Sequence, residues 1–149
     1  MIKTDISVTL GGSLTRNPAS IPSIEVNLVG VNETELPQWQ GYSVTKYWSP
    51  GDKLRAGADK YEMRFGQTKP SVQTLKKDNP IFQKWQEKTA TQLFVLADLP
   101  GMGEPEGDEA DPRRVILPLS PKAWKLKEGI TITIRAGQMV CSPAPIEEK

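Results

Sequence analysis

The stretch Leu93-Phe94-Val95-Leu96-Ala97, set between Gln92 and Asp98, is the longest uninterrupted apolar run in the chain. A run of this length, holding Phe and Val and bounded by turn residues, reads as a strand buried on both faces. Leu99-Pro100-Gly101 ends it, because proline removes a ladder donor and glycine frees the backbone. Every other apolar segment alternates or breaks within a few residues, so this strand is expected at the centre of the core.

The segments around it read as its partners. Asn79-Pro80 is a helix start, since the Asn side chain accepts from an orphan N–H and Pro fits the first helical position. Ile81, Phe82 and Trp85 fall on one face, which predicts a helix over about 80–88 that delivers the chain to the central strand. Period-two alternation predicts strands at Ile6–Leu10, Ile24–Leu28, Tyr61–Phe65 and Ile130–Arg135. Val29-Gly30-Val31 reads as a bulge or strand end. Arg114–Leu117 is a further strand, and Ala136-Gly137 turns the Ile130 strand back into Gln138–Ser142. Leu14–Pro22 and Thr68–Asp78 read as loops, and Ser120-Pro121 as the start of a helical turn reaching Trp124. Seven short strands with one or two short helices argue a mainly β chain, an antiparallel β-sandwich. Val26, Leu28, Leu93, Val95, Ile132 and Ile134 are its expected core.

The 149 residues fit one sandwich domain, with an aromatic excursion over 33–58 and an acidic loop over 100–112. Net charge is +1, from 19 basic and 18 acidic residues, so no global field recruits nucleic acid or an anionic membrane. No apolar run approaches the roughly 20 residues of a membrane span. Lys3 and Asp5 interrupt any segment of signal-peptide type at the start. The single Cys141 has no partner for an internal disulfide.

Chemistry has few candidates. The chain has no histidine, which removes the commonest general base and metal ligand and rules out Ser-His and Cys-His nucleophile pairs. Gly11-Gly12-Ser13 is too short to be a phosphate loop and reads as a turn. The acidic residues Glu104, Glu106, Asp108, Glu109 and Asp111 offer oxygens, but their spacing does not match a calcium loop, and a solvated, mobile loop is expected. Asp98 reads as a solvated acid at a strand end and Cys141 as a small packed residue. Asn32-Glu33-Thr34 satisfies the glycosylation pattern, which is informative only in a eukaryotic secreted chain. No enzyme, cofactor or metal is expected.

Trp39, Tyr42, Tyr47 and Trp48 crowd ten residues of a stretch broken by Pro37, Gly41 and Pro50. A short helical piece is expected near 43–48 and another turn near 53–56. Such aromatics either pack the excursion onto the sandwich or form an interaction surface. The expected division is that Trp39 and Tyr42 pack inward, while Tyr47 and Trp48, beside the Ser49-Pro50-Gly51 turn, are exposed and bind a protein partner. A small carbohydrate- or ligand-binding sandwich that stacks its substrate on exposed Trp and Tyr is the alternative.

Several short motifs point to a family. Asn17-Pro18, Ile21-Pro22-Ser23-Ile24-Glu25-Val26 and the segment Leu36–Tyr42 resemble the early part of the type VI secretion outer-membrane lipoproteins. Gln92–Leu99, the later Ala123-Trp124 and the Ile130–Ile134 strand are similar to that family's later part. The sequence departs from the pattern in showing no lipidated N-terminal Cys and in its longer acidic loop. The resemblance implies a β-sandwich of the transthyretin- or immunoglobulin-like kind. It also implies a periplasmic, outer-membrane-associated place, and a non-enzymatic role in holding an inner-membrane partner of the secretion complex through an exposed loop.

Overall fold

The computed structural model describes residue 2 and residues 4–99, 105, 110–124 and 129–142. The described chain forms eight strands: β1 (Ile6–Leu10), β2 (Ile24–Val31), β3 (Lys60–Phe65), β4 (Val72–Leu75), β5 (Gln92–Ala97), β6 (Arg114–Pro118), β7 (Ile130–Arg135) and β8 (Gln138–Ser142). They make two four-stranded sheets, ordered β4-β1-β7-β8 and β3-β2-β5-β6. The expected sandwich is observed, with one correction to its all-antiparallel character. Strands β1 and β7 run parallel, Ile6 opposite Ile130 through to Leu10 opposite Ile134, while the other described pairs are antiparallel. Alternation fixes which side chains face the core, but it carries no information about strand direction.

The apolar run is β5, held between β2 and β6. Its Leu93 and Val95 join Val26 and Leu28 of β2 and Ile132 and Ile134 of β7 in one cluster between the sheets, as the pattern predicted. Strand β2 continues without a bulge to Val31, because Val26 to Val31 stay in register with Ala97 to Gln92. Gly30 is there for a packing reason: a side-chain carbon on it would lie within 2.5 Å of Trp85 Cδ1. Trp85 comes from the predicted helix, Pro80–Glu87, whose first turn is capped by Asn79 accepting from the Ile81 N–H at 2.9 Å. Phe82 and Trp85 of this helix are buried in the intersheet cluster, and Trp85 Nε1–H donates to Asp59 O at 2.8 Å.

Two loop expectations are corrected. Part of 68–78 is strand β4, which buries only Leu75 and leaves Val72 54% exposed, so its sequence lacks a readable apolar face. Within 14–22, Gly12–Thr15 forms a helical turn and Pro18–Ser20 a 3-10 turn, capped by Asn17 accepting from the Ala19 N–H at 3.1 Å. The turn after Ser120 is observed at Pro121–Ala123. Most of the acidic loop expected over 100–112, and the tail after Ser142, lie outside the described residues. Asp111 is described, and it is buried rather than solvated.

Candidate functional site: the aromatic cover of the second sheet

The excursion is built from three helical segments, each with a local cause. Asn32 Oδ1 accepts from the Glu35 N–H at 2.9 Å, and Glu35 Oε1 accepts from the Asn32 N–H at 3.2 Å. This reciprocal pair opens the helix Leu36–Gly41, with Pro37 in its first turn, where proline is favoured. Ser43 caps Val44–Tyr47 by accepting from the Lys46 N–H at 3.1 Å, and Asp52 caps Lys53–Ala56 by accepting from the Arg55 N–H at 3.0 Å.

Trp39, Val44 and Tyr47 from these helices form a second buried cluster with Val29, Val31, Phe94 and Leu96 of β2 and β5. The excursion is therefore a cover over the outer face of one sheet. This explains why β5 is apolar from Leu93 to Ala97: Leu93, Val95 and Ala97 face the intersheet cluster, and Phe94 and Leu96 face the second cluster. The Trp39 ring centre lies 5.9 Å from those of both Tyr47 and Phe94, tilted against the first and edge-on to the second.

Polar bonds fix the cover in place. The Tyr47 O–H donates to Oδ1 of the fully buried Asn27 at 2.8 Å, and Asn27 Nδ2 donates to Glu25 Oε2 at 3.2 Å. Burial pushes the Tyr47 hydroxyl well above the usual phenol range; Arg55 opposes this, and Glu25, Asp52 and Glu62 add to it. The Tyr42 O–H donates to Asp52 Oδ1, and that bond, with lesser parts from burial and the Asp52 charge, raises the Tyr42 pKa. Arg55 donates to the carbonyls of Tyr47 and, at 3.0 Å, Ser49, while its guanidinium lies over the Tyr47 and Trp48 rings.

At the β6 side, Arg113 and Asp111 are a buried ion pair at 2.7 Å, and Arg113 Nη2 also donates to Thr45 Oγ1 at 3.1 Å. Burial alone would push the Asp111 carboxyl up, but the Arg113 hydrogen bonds and charge outweigh it and hold it below the usual range. Arg114 Nη1 donates to Tyr42 O at 2.9 Å.

The expected division of the aromatics is corrected. Trp39 packs inward at 4% exposure, but so does Tyr47 at 1%, while Tyr42 is half-buried. Val44 and Tyr47 stand three apart on one helix and so share its inner face. Of the two residues read as a binding pair, only Trp48 reaches the surface. It is half-buried, edge-on to Tyr47 at 5.1 Å, and its Nε1–H is buried with no acceptor among the described residues.

Asp98 is exposed at the end of β5, as expected, but Glu25 stands beside it. Partial desolvation of its carboxyl beside the groove, then the Glu25 charge, raises the Asp98 pKa, with Arg113 and Arg55 opposing. Both line a groove of about 550 Å³ with Arg64, Phe65 and Lys69. The sequence separation of Glu25 and Asp98 hid this pairing. Cys141 is half-buried, and burial pushes its thiol up to about 11. Among the described residues no group of three or more acidic or Cys side chains is placed to hold a metal, and no helix is long and apolar enough to cross a membrane.

No protein-family model matches the chain, and no curated protein matches its sequence. Solved structures do match. A chain of the T6SS protein TssM C-terminal domain (869-1107) structure from EAEC aligns at TM-score 0.57 and 13% identity, over 93% of this chain and 98% of that one. A chain of a type VI membrane complex aligns at 0.58 and 13%, over 96% and 100%. Serratia marcescens Lip, a membrane-bound component of the type VI secretion system, aligns at 0.52 and 10%, over 98% and 96%. The chain thus has, over nearly its whole length, the fold of chains solved as parts of type VI secretion assemblies.

Proposed function

We propose that this chain is a non-enzymatic scaffold domain of the cell envelope, which holds a protein partner within a type VI secretion membrane complex at the periplasmic face of the outer membrane. The observation that carries this reading is the fold match to Serratia marcescens Lip, which spans 98% of this chain and 96% of that one. The residues are compatible with it. There is no histidine, and the densest side-chain chemistry, around Tyr42, Tyr47, Asp52 and Arg55, is spent on joining the segments of the cover to one another and, through Tyr47 and Asn27, to the sheet. Tyr47 serves in this reading as the inner anchor of the binding surface, and Trp48 as its accessible member. The sugar-stacking alternative has little to stand on, since Tyr47 is 1% exposed and Arg55 lies over the Trp48 ring.

The test is co-purification of the full chain with the TssM C-terminal domain from the same organism, together with fractionation of the cells that express it. Retention of that domain, with this chain in the envelope fraction, is the expected result. A chain found only in the cytoplasmic fraction, with no binding at micromolar concentration, would overturn the reading.

A further inference from the structure

We infer that the outer surface of the aromatic cover, from Tyr42 through Lys46 and Trp48 to Lys53 and Arg55, docks an acidic segment of the partner protein. The inference rests on the scaffold reading above and names the chemistry of its partner. Between Tyr42 and Gly57 the charged residues are Lys46, Asp52, Lys53 and Arg55. The one carboxylate, Asp52, is 7% exposed and already accepts from the Tyr42 O–H and the Arg55 N–H. Lys46 and Lys53 are exposed and Arg55 is half-buried, and none of them forms an ion pair among the described residues.

The patch is continuous. The Lys46 ammonium lies 5.2 Å from the Tyr42 ring centre, Tyr42 is bonded to Asp52, and Arg55 lies 5.9 Å from the Trp48 ring centre. Lys46, over the Tyr42 ring, and Lys53 are exposed cations without an ion pair among the described residues; aromatic rings beside such charges suit a binding surface, and the sign of the charge selects an acidic partner.

The experiment is titration calorimetry of the full chain with the TssM C-terminal domain of the same organism, at low and high salt. The Lys46→Glu/Lys53→Glu double variant should bind at least about tenfold more weakly than the wild type at low salt. Wild-type affinity should also fall as salt rises. A Lys84→Glu control, on the exposed side of the helix Pro80–Glu87, should bind like the wild type. Unchanged affinity in the double variant overturns the acidic-segment inference and leaves the scaffold reading standing. A wild type that does not bind overturns both. Wild-type binding to phosphatidylglycerol vesicles that the double variant loses, with its affinity for the protein domain intact, would assign the patch to a membrane and overturn the inference as well.

Discussion

The two sheets treat their outer faces differently. The outer face of β4-β1-β7-β8 aligns Val72, Thr9, Thr133 and Val140 in one rank and Thr74, Ser7, Thr131 and Ser142 in the next, each half-buried or exposed, and among the described residues it carries no second buried cluster. It satisfies itself with short hydroxyl side chains, as in the 2.8 Å contact between Ser7 Oγ and Thr74 Oγ1. The outer face of β3-β2-β5-β6 carries Val29, Val31, Phe94 and Leu96, and it is covered by the excursion. Thr keeps the β-branched stiffness that suits a strand while leaving the face wettable. Val and Phe at the equivalent outward positions oblige the chain to supply its own cover.

If the cover is a second core, removing its floor should be costly. Phe94→Ala should lose about 3–5 kcal/mol in denaturant unfolding, the usual cost of emptying a buried aromatic site. A loss below about 1 kcal/mol would mean the cover rests loosely on the sheet.

Next in size is the fastening at β6. Asp111→Asn should cost about 3 kcal/mol at neutral pH, because it leaves the Arg113 charge buried without its carboxylate. The pH dependence has a definite sign. The folded-state pKa of Asp111 is lowered, so its stabilisation is fully present above the unfolded value of about 3.9 and is lost as pH falls through the folded value. Unfolding measured from pH 7 down to pH 2 should show the wild type and Asp111→Asn converging in acid. A constant gap would contradict the pairing.

Tyr47→Phe keeps the ring and removes one hydroxyl, leaving Asn27 Oδ1 buried without that donor. The expected loss is about 1–2 kcal/mol in thermal or chemical unfolding. Thr131→Val, at an exposed position on the outer face of the other sheet, should change stability by less than about 0.5 kcal/mol. A larger loss there would show that this face is not as independent of packing as its exposure indicates.

The contrast between the faces was partly legible in the sequence. Unbroken apolarity from Leu93 to Ala97 announced a strand covered on both sides, and the loss of alternation at Val29 marked where the cover begins. The latter looked like a bulge because the covering residues come from a stretch that reads as broken. Pro37 looked like an interruption, yet proline in a first turn starts a helix, and Asn32 with Glu35 carried a capping signal that the glycosylation pattern masked. The neighbouring Ser49-Pro50-Gly51 turn suggested that Tyr47 is exposed, whereas its three-residue spacing from Val44 puts it inside. Strand β4 and the parallel β1–β7 pairing left no local trace, since an edge strand needs only Leu75 buried and strand direction is set by the whole topology. The Glu25–Asp98 neighbourhood and the buried Arg113–Asp111 pair are likewise products of tertiary folding.

In the proposed reading the excursion has an inner face that holds the fold and an outer face that meets a partner. Denaturant unfolding of Trp39→Ala beside Trp48→Ala tests this most directly. A loss of about 3–5 kcal/mol is expected for Trp39→Ala, which empties a buried site under the cover, and less than half of that for the half-buried Trp48→Ala. Equal losses would contradict it: the whole excursion would then be core, with no side chain of Trp48 left over for binding.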